Sequence, residues 1–205
     1  MIKRMTGLKE NLFIKEILKI NILFFILLFV FSCQPIEVVD EVIFDYNQLT
    51  KISINAKEKL INEVYEIKYV DPYIDHSIEK PPILRLNDWI SQNISIFGSQ
   101  NKLLINIIDA SLKSIERKNT NKKKYQEKTE FFYEIHFLIE FVLYDDNNFM
   151  LATINAETKR TTTSSKFISL SEKEQILDTL ILDALIDISL ESDELLKTHM
   201  SEYLL

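Results

Sequence analysis

Three histidines, His76, His136 and His199, one cysteine, Cys33, and the adjacent carboxylates Asp145 and Asp146 are the side chains best suited to chemistry in this 205-residue chain. The histidines are far apart in sequence, and none has a second His or Cys at ligand spacing, so no metal site is expected. His136 has Glu134 and Glu140 on the same side of an alternating stretch, and reads as a surface histidine among carboxylates. "DDNN" at 145–148 has the composition of a turn rather than of a carboxylate pair. No serine occupies a G-x-S-x-G elbow, and with Gly7 and Gly98 the only glycines, no phosphate-cradling loop can be built. The chain is therefore read as no enzyme, with no cofactor.

Cys33 stands in a different context. Lys3, Arg4, Lys9, Lys15 and Lys19 precede ten unbroken apolar residues, 22–31. A spanning helix needs roughly 20 apolar residues, whereas ten suits a secretory signal core. Val30-Phe31-Ser32-Cys33 then resembles the lipobox of bacterial lipoproteins, although Phe31 is unusual at its slot. The resemblance implies cleavage before Cys33 and acylation of its thiol, palmitate included. The absence of any other cysteine agrees with export to an oxidising compartment. By the same resemblance, Gln34 in place of the Asp that retains lipoproteins at the inner membrane favours the outer membrane, facing the periplasm. Residues 1–32 are thus expected to be a signal peptide, 33–50 an acylated cysteine with an acidic tether, and 51–205 a periplasmic domain.

Two polar stretches offer contact surfaces. "ERKNTNKKKYQEK", residues 116–128, carries Arg117, Lys118, Lys122, Lys123, Lys124 and Lys128 against two glutamates. From Cys33 onward the chain otherwise holds an excess of acid, with 19 basic and 29 acidic residues in all. That balance argues against nucleic acid, while the local basic run suits an anionic lipid or an envelope protein; its plainer reading is a solvated hairpin loop. "KRTTTSSKF", residues 159–167, places Lys159 and Arg160 beside five hydroxyls, and reads either as an anion contact or as the end of a strand.

The elements that must position these residues follow from periodicity. Ile52, Ile54 and Ala56 alternate, then Ile61, Tyr65, Ile67 and Tyr69 in the opposite phase, as in a bulged strand or two pieces. Pro72, Pro81 and Pro82 mark an extended loop, and a helix is expected from about Asn87 to Phe97 with Gly98 as its stop. Strands are expected from Leu103 to about Ile115, through the seven odd apolar positions from Phe131 to Leu143, and from Met150 to Ala156. Ser171 and Glu174 form a capping box for a final helix, which a polar patch at 189–194 interrupts, so that the tail to Leu204 is either the same helix bent or a second short one. The order β-α-β-β-β-α predicts an α+β fold of two layers, a mainly antiparallel four-stranded sheet with helices on one face.

This order, with "NAETKR" leading into "SEKEQILDTLILDAL", resembles the small envelope-transport lipoproteins. These include the lipopolysaccharide-assembly lipoprotein that plugs an outer-membrane barrel and the auxiliary lipoproteins of lipid-transport ABC systems. The resemblance covers about residues 50 to 205 in element order. It implies a non-enzymatic accessory role in outer-membrane assembly or lipid transport; a small-ligand carrier and an exported enzyme are the alternatives. A carrier requires a large apolar pocket between sheet and helices.

Overall fold

The computed structural model describes residues 41–119 and 128–204. Its main sheet has the strand order β2-β4-β5-β6, from β2 (Glu58–Glu63), β4 (Lys102–Lys118), β5 (Thr129–Tyr144) and β6 (Met150–Ser165). β4, β5 and β6 are consecutive antiparallel strands, whereas β2 runs parallel to β4 at one edge. β6 forms the other edge. The alternation seen in sequence sets the faces: Tyr133, Ile135, Phe137, Ile139 and Phe141 are fully buried, while their even-numbered neighbours lie on the opposite, half-exposed face. A bulge at Ile108 shifts the β4–β5 register, so Ala110 and Leu112 continue the buried face that Ile105 and Ile107 begin.

Two helices cover that face. α1 (Pro82–Asn93) buries Leu86, Trp89 and Ile90, and α2 (Leu170–His199) buries Leu177, Leu180, Ile181, Ala184, Leu185, Ile188 and Leu196. Spacings of three and four place these side chains on one stripe of each helix. The α+β two-layer architecture is the one expected.

Local boundaries differ from those expected, each for a physical reason. Of the two forms expected for the first strand it takes the two-piece one, β2 and the short β1 (Ile52–Ile54), which pairs in parallel with β3 (Ile94–Ile96). α1 starts five residues early because Pro82 takes the first helical position, where a missing N–H costs nothing. It ends at Asn93, whose amide donates to the carbonyls of Tyr46 (2.7 Å) and Leu49 (3.0 Å), and Ile94–Ile96 leaves as a strand. Gly98 is therefore no helix stop. Its backbone passes so close to Asn55 and Ala56 that a Cβ would sit 2.9 Å from the Ala56 nitrogen.

α2 is capped by Ser169, whose hydroxyl accepts from the Glu172 amide at 3.1 Å, two residues before the expected box. It continues without a break through 189–194, since Ser189 and Ser192 are small enough to face the core. The stretch read as tether joins the fold from Phe44 on. Phe44 lies under the Arg85 guanidinium at 3.6 Å from the ring centre, Tyr46 packs on the core, and Leu49 is buried. Among the described residues, no helix is long and apolar enough to cross a membrane.

Candidate functional site

The basic positions singled out in the sequence separate into three settings. Arg117 ends β4 opposite Glu130 on β5, and its Nε donates to Glu130 Oε1 at 2.9 Å while the guanidinium lies 4.5 Å from the Phe132 ring centre. Glu130 is buried and also accepts from Asn119 at 2.8 Å. Arg117 thus closes the sheet end and compensates a buried carboxylate. Lys118 and Lys128 are exposed at the same end. Lys122, Lys123 and Lys124 lie outside the described residues, as does Cys33.

Lys159 and Arg160 are neighbours in sequence but occupy opposite faces of β6, so they do not form one anion site. Arg160 faces α2 and donates to both Asp187 oxygens, with Nη2 to Oδ1 at 2.9 Å, and reaches Asp183 at 3.4 Å. The Asp187 hydrogen bond pushes its guanidinium pKa further up. Lys159 is on the open face, 2.7 Å from Glu157. The hydroxyl stretch is the outer part of edge strand β6; Ser164 turns inward to Tyr133 at 3.3 Å.

The open face holds a polar chain that sequence reading registered only in part. His136 lies between Asp109 (Nδ1 to Oδ2, 3.1 Å) and Glu157 (Nε2 to Oε1, 2.9 Å) rather than against Glu134 and Glu140. Lys159, and then His136, hold the exposed Glu157 carboxyl below its usual range. Glu134 instead pairs with Lys113 at 3.1 Å, and Glu140 accepts from Asn106 at 2.7 Å. Cross-strand register explains these partners: His136 sits opposite Ser111 and Lys159, and the bulge swings Asp109 into reach. Asp145 organises its turn, accepting from the amides of Asn147 and Phe149, while Asp146 pairs with Lys57.

Two clefts border the helices. One, of about 220 Å³, lies where Glu41 and Val42 meet Ile78 and Arg85 on one side and Ser171, Glu174 and Asp178 on the other. Arg85 donates to Asp178 at 2.8 Å, yet burial keeps the Asp178 carboxyl above its usual range, with Glu174, Glu79 and Glu41 adding to the rise. The other, of about 250 Å³, runs between Arg160–Thr162 and the α2 residues Gln175, Ile176 and Thr179. Both lie at the rim of the helical layer. Between sheet and helices, Trp89, Phe137, Phe141 and Tyr133 fill the space.

No family model matches the chain, and no curated protein matches it. Among solved structures it is similar to a minor lipoprotein from Acinetobacter baumannii, at 9% identity and a TM-score of 0.36 over 71% of this chain and 93% of that one. It is also similar to the rare lipoprotein B from Shewanella oneidensis, at 15% identity and a TM-score of 0.36 over 70% and 100%. A protein from Xanthomonas campestris matches at 11% identity and a TM-score of 0.35 over 72% and 90%. Likenesses of this size transfer no function.

Proposed function

We propose that the protein is a lipoprotein, anchored by acyl chains on Cys33 and facing the periplasm from the outer membrane. It acts there without catalysis, as an accessory to outer-membrane assembly or lipid transport that contacts an envelope protein or anionic lipid. One observation carries this reading: a basic leader and ten apolar residues end directly at Val30-Phe31-Ser32-Cys33, the one cysteine of the chain. Buried acyl chains contribute about 0.8 kcal/mol per CH₂, and two or more of them hold a protein stably on a bilayer. Support against a carrier role comes from the filled sheet–helix interface, where Leu86, Trp89, Ile139 and Phe141 are fully buried. Both rim clefts are small beside ligand pockets of about 300–1,000 Å³.

The test is acyl labelling of the full chain and of Cys33→Ser. Label on the wild type that disappears with the substitution, together with loss of processing, is expected. Label retained by Cys33→Ser refutes the anchor. Affinity purification of the acylated protein from membranes, read by mass spectrometry of proteins and lipids, then identifies the partner. Recovery of no envelope protein or lipid above a control lipoprotein refutes the accessory role.

A further inference from the structure

One end of the sheet combines exposed apolar side chains with exposed cations. β6 ends at Ser165, paired with Glu130, which on its other side pairs with Arg117 of β4, and the chain then crosses to α2 through Phe167 and Leu170. Phe167 is 76% exposed and Leu170 72% exposed, a large aromatic and a large aliphatic three residues apart. Ile115 and Ile43 add exposed apolar surface, Ile115 near the end of β4 and Ile43 next to Val42 at the α2 cleft. Lys118 and Lys128 flank this end, and Glu116 and Glu130 are occupied by Lys166 (2.8 Å) and Arg117 (2.9 Å). The acids Glu172 and Glu174 stand in the first turns of α2 near Leu170, and Glu174 lines the cleft with Glu41 and Arg85.

The path of the chain says what faces this end. Glu41 and Val42 line one cleft with Ser171 and Glu174, in the first turns of α2, so the chain enters the fold on the side of that helix end. Cys33 is eight residues before Glu41, a span of at most roughly 26–29 Å when fully extended. If Cys33 carries acyl chains, the Phe167–Leu170 end is therefore the part of the domain tied nearest to the bilayer. Aromatic and aliphatic side chains flanked by lysines are what a membrane–water interface accepts: the rings and methyls enter the headgroup boundary and the ammonium groups meet anionic lipid.

We propose that Phe167 and Leu170, flanked by Lys118 and Lys128, form an interfacial contact that rests this end of the domain on an anionic lipid surface. The proposal rests on the anchoring of Cys33 and adds an orientation: the sheet end where β4 stops at Lys118 and β5 starts at Thr129 faces the bilayer, and the 145–149 turn at the other end faces away.

Fluorescence quenching tests it. Trp89 is the only tryptophan and is fully buried, so it supplies a constant background. Phe167→Trp, Leu170→Trp and, at the far end, Phe149→Trp replace exposed residues and spare the core. Each full-length protein, purified from membranes, is reconstituted into vesicles of phosphatidylethanolamine and phosphatidylglycerol containing brominated acyl chains. Its N-terminal peptide is weighed on the same sample, so that a missing acyl group, which refutes the anchor, is read separately from orientation. Quenching at least threefold stronger at positions 167 and 170 than at 149 is expected. Equal quenching at both ends, stronger quenching at 149, or none at any position overturns the proposal. Lys118→Glu with Lys128→Glu is expected to halve the quenching at 167 when phosphatidylglycerol is present; no change overturns the role of charge.

Discussion

Arg117 and Glu130 face each other across the last rungs of β4 and β5, with 2.9 Å between Nε and Oε1, and the carboxylate is buried while the guanidinium is about half exposed. Arg117 and Lys118 are consecutive cations in the same basic stretch, yet only the first compensates a charge taken out of water. Arg117→Ala is expected to cost about 1–3 kcal/mol in urea denaturation, because it removes a charged donor from a buried acceptor. Lys118→Ala should stay within about 0.5 kcal/mol of wild type. Equal effects would contradict the pairing.

Gly98 supplies a second contrast. With Ala56 N 2.9 Å from the position of an added Cβ, and backbone less able to yield than a side chain, Gly98→Ala is expected to destabilise by about 1–3 kcal/mol. A substitution at an ordinary helix stop would act through φ instead, and Gly98 has no positive φ. A neutral result by chemical denaturation would show that the β1–β3 neighbourhood opens freely.

Phe137 lies fully buried between the sheet and the helices. Phe137→Ala should cost about 3–5 kcal/mol. The emission of Trp89, also fully buried, offers the readout, shifting to longer wavelength as the domain unfolds.

These residues also mark how far sequence alone reaches. The β5 face was readable because seven odd positions repeat one character, and period two has a single structural meaning. The α2 stripe was readable for the same reason at period 3.6. Boundaries were not, because they depend on partners far along the chain. Asn93 ends α1 by reaching back to Tyr46 and Leu49, and Ile94–Ile96 is a strand because β1 lies beside it. The polar stretch 189–194 looked like a break because its buried members are serines. At the surface, residue type marked Lys159 and Arg160 as one site, whereas strand geometry sends neighbours to opposite faces. His136 was placed on the correct face, but its partners Asp109 and Glu157 follow from a bulge and a cross-strand register that no single segment encodes.

Asp178 yields a prediction in pH. Burial raises its carboxyl pKa above 3.8 in the folded protein, so the native state retains a proton that the unfolded chain has already released. Stability from this group is then present at low pH and falls as pH rises through the carboxylate range. Asp178→Asn removes that loss. Its midpoint in urea, relative to wild type, should therefore improve between pH 4 and pH 6. A relative decline over that interval would mean that the Arg85 ion pair outweighs burial.

The outer edge of β6 bears on whether copies of the protein cling to one another. A sixteen-residue strand whose outer edge pairs with no other strand among the described residues is a template for a second strand. Pairing two β6 edges head to tail about their midpoint, between Glu157 and Thr158, sets Lys159 of one copy opposite Ala156 of the other, and the register centred on Thr158 sets it opposite Glu157. Opposite charges on facing strands favour a ladder. The charges along β6 thus do not oppose symmetric self-association through this edge.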